Sequence, residues 1–152
     1  MPIEIVWGTG EGQTPLSAFD TALSEGGIHN YNLVTLSSVI PEGKAVSIEG
    51  EHDRQWDVGE LVGVVLSENR STVTGETISA GLGWSTADEG GVFFEATAES
   101  TANVESLLVR GVETAKESRP TWNWDENIET RIVEHTVEEN GAAIVSAVYR
   151  PV

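Results

Sequence analysis

Only two stretches of the chain repeat their apolar residues every three to four positions, and that scarcity of helix is the strongest constraint on its fold. The first is TPLSAFDTALSEGG, with Thr14 at the N-cap, Pro15 at the first helical position and Gly26-Gly27 at the end. Leu16, Phe19 and Leu23 form its apolar stripe. At about 100° per residue Asp20 falls only ~40° from Leu16, so a carboxylate stands at the edge of that stripe. The second is TANVESLLVRGVETAKESRP, with Val104, Leu107, Leu108, Val112 and Ala115 on one side and Pro120 as its stop.

The remaining apolar residues sit in short runs of strand type: IEIVW, NLVTLSSVI, AVSIE, LVGVVLSE, STVTGETISAGLGWS, GVFFEATA, IETRIVEHTVE and GAAIVSAVYR. In the first of these, Ile3, Ile5 and Trp7 share a face opposite Val6; in GVFFEATA, Phe93 and Glu95 point to one side. GTGEG (8–12) reads as a flexible turn, ENRS (68–71) as another, and Asn140-Gly141 as the hairpin joining the last two runs. The result is an α+β domain of about seven or eight strands and two main helices, over 1–152, with no repeat or linker.

The charge balance narrows the partners. Of the 152 residues 25 are acidic and 8 basic, a net charge of −17, and only Lys44 and Lys116 are lysines. Such a chain repels nucleic acid and anionic membranes, and neither is expected as a partner. The acids form either a sink for a cationic ligand or a solvated surface suited to high salt; their scatter along the chain favours the second. There is no cysteine, hence no disulfide, thiol chemistry or Cys-ligated metal. No signal peptide precedes Ile3 and no apolar run reaches the ~20 residues of a membrane span, so a soluble cytoplasmic protein is expected.

Conventional catalytic signatures are missing. His29, His52 and His135 make no ligand pair, GTGEGQ completes neither a dinucleotide nor a phosphate loop, and no G-x-S-x-G elbow occurs. One oddity is left: Ser37-Ser38 interrupts the apolar run NLVTLSSVI just before Pro41. Composition and periodicity stop there, at an acidic α+β domain of open activity.

The run GTGEGQTPLSAFDTALSEGGIHNYNLVTLSSVIP, together with GETISAGLG, VFFEATAES and IVEHTVEENGAAIVSAVY, resembles the pyruvoyl-dependent arginine decarboxylases nearly end to end. The resemblance implies a layered α/β sandwich of mainly antiparallel strands, assembling as a homotrimer or a multiple of trimers with active sites between subunits. It also implies a proenzyme that cuts itself into 1–37 and 38–152. The Ser38 hydroxyl attacks the Ser37 carbonyl to give an ester, and elimination and hydrolysis leave a pyruvoyl group at position 38. That covalent pyruvoyl group is the implied cofactor, with no metal and no pyridoxal phosphate. It forms a Schiff base with the amine of L-arginine, and loss of CO₂ yields agmatine.

By the same resemblance Asn32 assists self-cleavage, Glu95 is the proton donor and Asp20 meets the substrate's guanidinium. Leu16, Leu23 and Tyr31 are implied as walls around its methylenes. His29-Asn30-Tyr31 departs from the smaller residues expected before Asn32. Decarboxylation of another amino acid, or an uncleaved ligand-binding relative without activity, are the alternatives. The excess of acids points to a halophilic archaeal source.

Overall fold

The computed structural model describes residues 1–152. Nine strands and two helices run in the order β1 (Ile3–Glu11), α1 (Pro15–Glu25), β2 (Asn32–Thr35), β3 (Val39–Ile40), β4 (Val46–Gly50), β5 (Leu61–Ser71), β6 (Thr77–Ala87), β7 (Gly90–Ala98), α2 (Thr101–Glu117), β8 (Glu129–Thr136) and β9 (Gly141–Pro151). They form a five-stranded sheet, β2-β5-β9-β1-β4, and a four-stranded sheet, β3-β7-β6-β8. The smaller sheet is wholly antiparallel, while β1–β4 and β2–β5 in the larger one are parallel.

The two sheets face each other across a core of Ile3, Ile5, Ile40, Val65, Leu82, Trp84, Phe93, Val145 and Ala147. Helix α1 covers the outer face of the larger sheet, where Ala18, Ala22 and Leu23 meet Val6, Val62, Val64 and Ile144. Helix α2 covers the smaller sheet by laying Val104 and Leu108 over Gly81 and Gly83. The chain is therefore a four-layer α/β/β/α sandwich. Strand β9 lies inside the larger sheet with both faces covered, which is why AAIVSAV is a nearly unbroken apolar run. Each fully buried Val, Leu or Ile of these cores stabilises the fold by about 1.5–3 kcal/mol.

Both helix starts follow their sequence punctuation. Ser17 N–H donates to Thr14 Oγ1 at 3.1 Å while Thr14 N–H donates to Ser17 Oγ at 3.0 Å, a reciprocal cap, and Ser100 Oγ accepts from Asn103 N–H at 3.2 Å. The α1 stripe is narrower than its spacing suggests: Ala18, Ala22 and Leu23 are buried, whereas Leu16 is 67% exposed.

GTGEG is not a turn. Through Glu11 it is strand, paired with β9, and its alternate glycines face α1. A Cβ at Gly10 would lie 2.5 Å from the Ala18 carbonyl oxygen and 2.7 Å from Ala22 N, and one at Gly8 would collide with the Ala22 carbonyl. The glycines let the helix backbone rest directly on the strand. ENRS likewise belongs to β5, which runs to Ser71.

Asn140-Gly141 closes no hairpin either, because β8 pairs with β6 in one sheet and β9 with β1 and β5 in the other. The connection crosses between sheets and is clamped to the end of β1. Glu11 accepts from His135 Nε2 at 2.5 Å, from Glu139 N–H at 2.8 Å and from Glu138 N–H at 3.1 Å. Gly12 N–H donates to the Asn140 carbonyl, and Asn140 Nδ2 donates back to that of Gly12, both at 3.1 Å. Partial desolvation pushes the Glu11 carboxyl up, but the hydrogen bonds from Glu139, His135 and Glu138 outweigh it and hold the group below its ordinary 4.5.

Of the 25 acidic side chains only Glu4 is buried, so the negative charge is a solvated surface. No helix is long and apolar enough to cross a membrane.

Two stability changes follow from these contacts. Gly10→Ala forces α1 off β1 and is expected to cost about 1–3 kcal/mol, read as a lower melting temperature; an unchanged melt would contradict the direct seating of helix on strand. Because the Glu11 pKa is depressed in the folded chain, its contribution is present above pH 4.5 and lost as pH falls through the lowered value. Glu11→Gln should therefore melt below the wild type at pH 7 and approach it in acid, checked by thermal melts across that range.

Candidate active site

The Ser-Ser pair sits where the chain leaves one sheet for the other. Strand β2 lies at the edge of the larger sheet and β3 at the edge of the smaller one. Leu36 still belongs to the first: its N–H donates to the Val64 carbonyl at 2.8 Å, and its side chain fills the space left by Gly63. Val39 and Ile40 belong to the second, opposite Val92 and Gly91, with Ile40 buried among the inter-sheet residues. The run NLVTLSSVI is thus two strands in two sheets, and Ser37-Ser38 is the bridge.

The bridge is strained. Ser38 has φ +70°, the only non-glycine residue in the chain with a positive φ. For an L-residue that left-handed conformation costs roughly 1–2 kcal/mol, and it persists only where the surroundings impose it. The surroundings are a set of fixed neighbours: the Ser38 carbonyl accepts from Phe93 N–H at 2.8 Å, and the Val39 carbonyl from the Tyr149 hydroxyl at 2.7 Å. Between these ties and that of Leu36 N–H to Val64, the Ser37 carbonyl and the Ser38 N–H, the two polar groups of the 37–38 peptide bond, have no hydrogen-bond partner in the chain. The bond is held from both sides and left unengaged itself.

Glu95 lies on the adjacent strand. Continuing the β3–β7 register sets Ser38 opposite Phe93, with Glu95 two residues further on the same face, roughly 7 Å along the strand. It borders an open groove of about 450 Å³ with Leu66, Ser67, Phe94 and Leu107. Buried Ser67 closes the sheets beside it, donating to the Ala96 carbonyl at 2.9 Å and accepting from Gly81 N–H at 3.2 Å. Although the residue keeps substantial solvent exposure, desolvation by its apolar neighbours pushes the Glu95 carboxyl above its ordinary 4.5.

The other sequence-derived candidates form a second group. Asp20 and Leu16 are exposed on α1, and Asp20 has no ion-pair or hydrogen-bond partner in the chain. Leu23 is buried beneath them, with Tyr31 packed against the same core. Tyr31 donates to the Arg54 carbonyl at 3.2 Å and meets His52 and Trp56 with ring centroids 5.6 Å away. Below it, buried Glu4 accepts from His52 Nδ1 at 2.9 Å and from Arg54 Nε at 3.0 Å, which fastens the 51–60 segment to β1. Asn32 starts β2 and donates from Nδ2 to the Gly59 carbonyl at 2.9 Å.

Within one chain these groups do not meet. Asn32 starts β2 and Ser37 lies two residues past its end, roughly 16 Å away along an extended backbone and beyond the reach of an asparagine side chain. The β3–β7 register sets Ser38 and Glu95 on neighbouring strands, whereas Asp20 and Leu16 lie on α1, Leu23 and Tyr31 pack in the core beneath it, and Asn32 starts β2 beside Gly59. The fold adds two groups at the serines: the Phe93 main-chain N–H, which has no signature in sequence, and Tyr149, an unmarked residue near the end of a strand-like run. Nowhere do three or more His, Asp or Glu side chains converge as metal ligands would.

A family model described as pyruvoyl-dependent arginine decarboxylase matches residues 2–151. Curated proteins described as pyruvoyl-dependent arginine decarboxylases are similar over almost the whole chain. One from Halobacterium salinarum is 33% identical over 97% of this chain and 92% of its own length. Another, from Methanocaldococcus jannaschii, is 35% identical over 95% and 87%, and one from Pyrococcus furiosus is 38% identical over 91% and 87%.

The raised Glu95 pKa carries a stability consequence. Folding favours the protonated form, so the contribution of this one group is most favourable below pH 4.5 and is lost as pH rises through the raised value. With the 37–38 bond intact in both proteins, Glu95→Gln is expected to melt above the wild type at pH 7 and level with it in acid. Equal melts at neutral pH would remove the desolvation argument.

Proposed function

The chain belongs to the pyruvoyl-dependent arginine decarboxylase family, and from that membership we propose that it cuts its own 37–38 bond and then converts L-arginine to agmatine and CO₂. The observation that carries the reading is the left-handed Ser38 at an otherwise unengaged peptide bond between two sheets. A serine hydroxyl can attack the preceding carbonyl only when its backbone departs from the extended form that keeps the two apart, and part of that distortion is already present in the fold.

The cleavage balances within the chain and water. Ser38 Oγ bonds to the Ser37 carbonyl carbon as the C–N bond breaks, leaving an ester and a free amine at residue 38. Loss of the Ser38 Cα proton expels the Ser37 carboxylate from Cβ, and water then replaces the nitrogen, releasing ammonia. Residues 1–37 end in a carboxylate and 38–152 begin with a pyruvoyl group. The site fits that group: the Ser38 nitrogen, which is lost, makes no hydrogen bond in the fold, while the Ser38 carbonyl, which is kept, is held by Phe93 N–H.

The pyruvoyl group supplies a ketone that captures the substrate's amine and accepts the electron pair freed as CO₂ leaves. Phe93 N–H holds the carbonyl of residue 38 and favours negative charge developing on its oxygen. Glu95, whose carboxyl desolvation pushes above its ordinary 4.5, is the acid that gives its proton to the substrate's α-carbon after decarboxylation. Asp20, an unpaired carboxylate on α1, meets the guanidinium with Leu16, Leu23 and Tyr31 beside it. Since Asn32 lies too far from Ser38 of its own chain to assist there, a complete site needs β2 of a second copy, and the α1 group that packs on the same sheet face comes with it. That geometry supports a homo-oligomer, a trimer or a multiple of trimers, with sites between subunits.

Mass spectrometry of the purified protein is the test. The wild type should resolve into two chains, the longer starting with a pyruvoyl group at 38, while Ser38→Ala stays a single 16.3 kDa species. The cleaved protein should release agmatine from arginine and little cadaverine from lysine. A wild type that stays whole after prolonged incubation sinks the proposal; efficient release of cadaverine would move the substrate to lysine.

A further inference from the structure

Resting on that self-cleavage reading, we infer that Tyr149 is a positioning residue for the breaking of the 37–38 bond. Among residues 36–40 the ties to Val64 and Phe93 are made by main-chain groups, which any sequence would supply. The bond from the Tyr149 hydroxyl to the Val39 carbonyl, 2.7 Å, is the one tie made by a side chain. It is also a bond between sheets, since Tyr149 belongs to β9 in the larger sheet and Val39 to β3 in the smaller.

Edge-strand geometry explains what the hydroxyl does. Successive carbonyls along a strand point to opposite sides. With the Ser38 carbonyl turned inward to Phe93, the Val39 carbonyl faces out from an edge strand that has no further neighbour. Tyr149 reaches across from the other sheet and takes that carbonyl. Two consecutive carbonyls are then fixed from opposite directions, which pins the backbone on the C-terminal side of the Ser38 α-carbon. Rotation is left to the 37–38 peptide on its other side, the unit that has to turn for the hydroxyl to reach its carbonyl.

The ring of Tyr149 is anchored independently. It meets Phe93 edge-on with centroids 6.2 Å apart and packs against the inter-sheet core. Burial also pushes its phenol well above the ordinary tyrosine value, so the hydroxyl remains a proton donor throughout the neutral range. Removing the oxygen alone leaves the packing in place and lets the Val39 carbonyl swing toward water, loosening Ser38.

The test is the rate at which freshly made 16.3 kDa precursor becomes two chains at a temperature well below the melt. Tyr149→Phe should slow that conversion about 10-fold, the rate effect of one lost hydrogen bond, with a melting temperature within a few degrees of the wild type. Replacement of Tyr149 by p-aminophenylalanine, which returns an N–H donor on the same ring, should restore most of the rate, an outcome that packing alone would not produce. A wild type that cleaves beside an equally fast Tyr149→Phe variant overturns this inference alone. A wild type that never cleaves overturns the proposed function and this inference together.

Discussion

The passage of the chain between the sheets at residues 36–40 is the constraint from which the site follows. Leu36 is bonded into one sheet and Val39 into the other, so two residues cover a separation that is typically ~10 Å in sandwiches. Ile40 is buried in the shared interior and the half-buried Leu36 packs against it, which resists outward bulging of the connection. A short connection with both ends fixed has few conformations open to it, and the one adopted puts Ser38 in the left-handed region. Glycine would have accepted that conformation without strain, yet a glycine has no hydroxyl. A serine therefore stands where the backbone favours glycine, which is what the proposed self-cleavage requires of position 38.

The same logic runs through Glu95. A carboxyl beside Phe94 and Leu66 is harder to ionise, and the fold is less stable at neutral pH for it. Glu11 is the opposite case: two main-chain N–H groups and His135 favour its charged form, and it fastens the second crossing between sheets. One acid strengthens the scaffold and the other is kept at a disadvantage on the strand that neighbours Ser38. Nearly all the remaining acids lie on the surface, where, Asp20 apart, they bear on solubility and salt response.

Much of the fold is legible in the amino-acid sequence. Thr14-Pro15 and the spacing of Val104, Leu108 and Val112 mark the helices, and the alternation of Ile3, Ile5 and Trp7 against Val6 marks the inner and outer faces of β1. The misreadings share a cause, namely that tertiary contact overrode local propensity. Gly8 and Gly10 look like a turn until a helix backbone needs the room that side chains would fill. Asn140-Gly141 has hairpin chemistry, but Glu11 and Gly12 capture its polar groups and send the next strand to the other sheet. Leu16 has helical spacing and no partner strand beneath it. Ser37-Ser38 stood out as an interruption, whereas the separation of Asn32 and Asp20 from it depends on β2 being extended and became legible only in three dimensions.

The place of β1 has a further consequence for a chain that is cut after residue 37. The segment before the cut contributes β1, bonded between β9 and β4, together with α1, which seals the outer core. It cannot leave without opening the larger sheet, so the severed protein keeps its shape. Its unfolding, though, becomes the dissociation of two polypeptides, and its refolding a second-order encounter. On the proposed self-cleavage, the uncut precursor would be the form that finds the native topology, and the cut protein would be maintained by the slowness of its own disassembly.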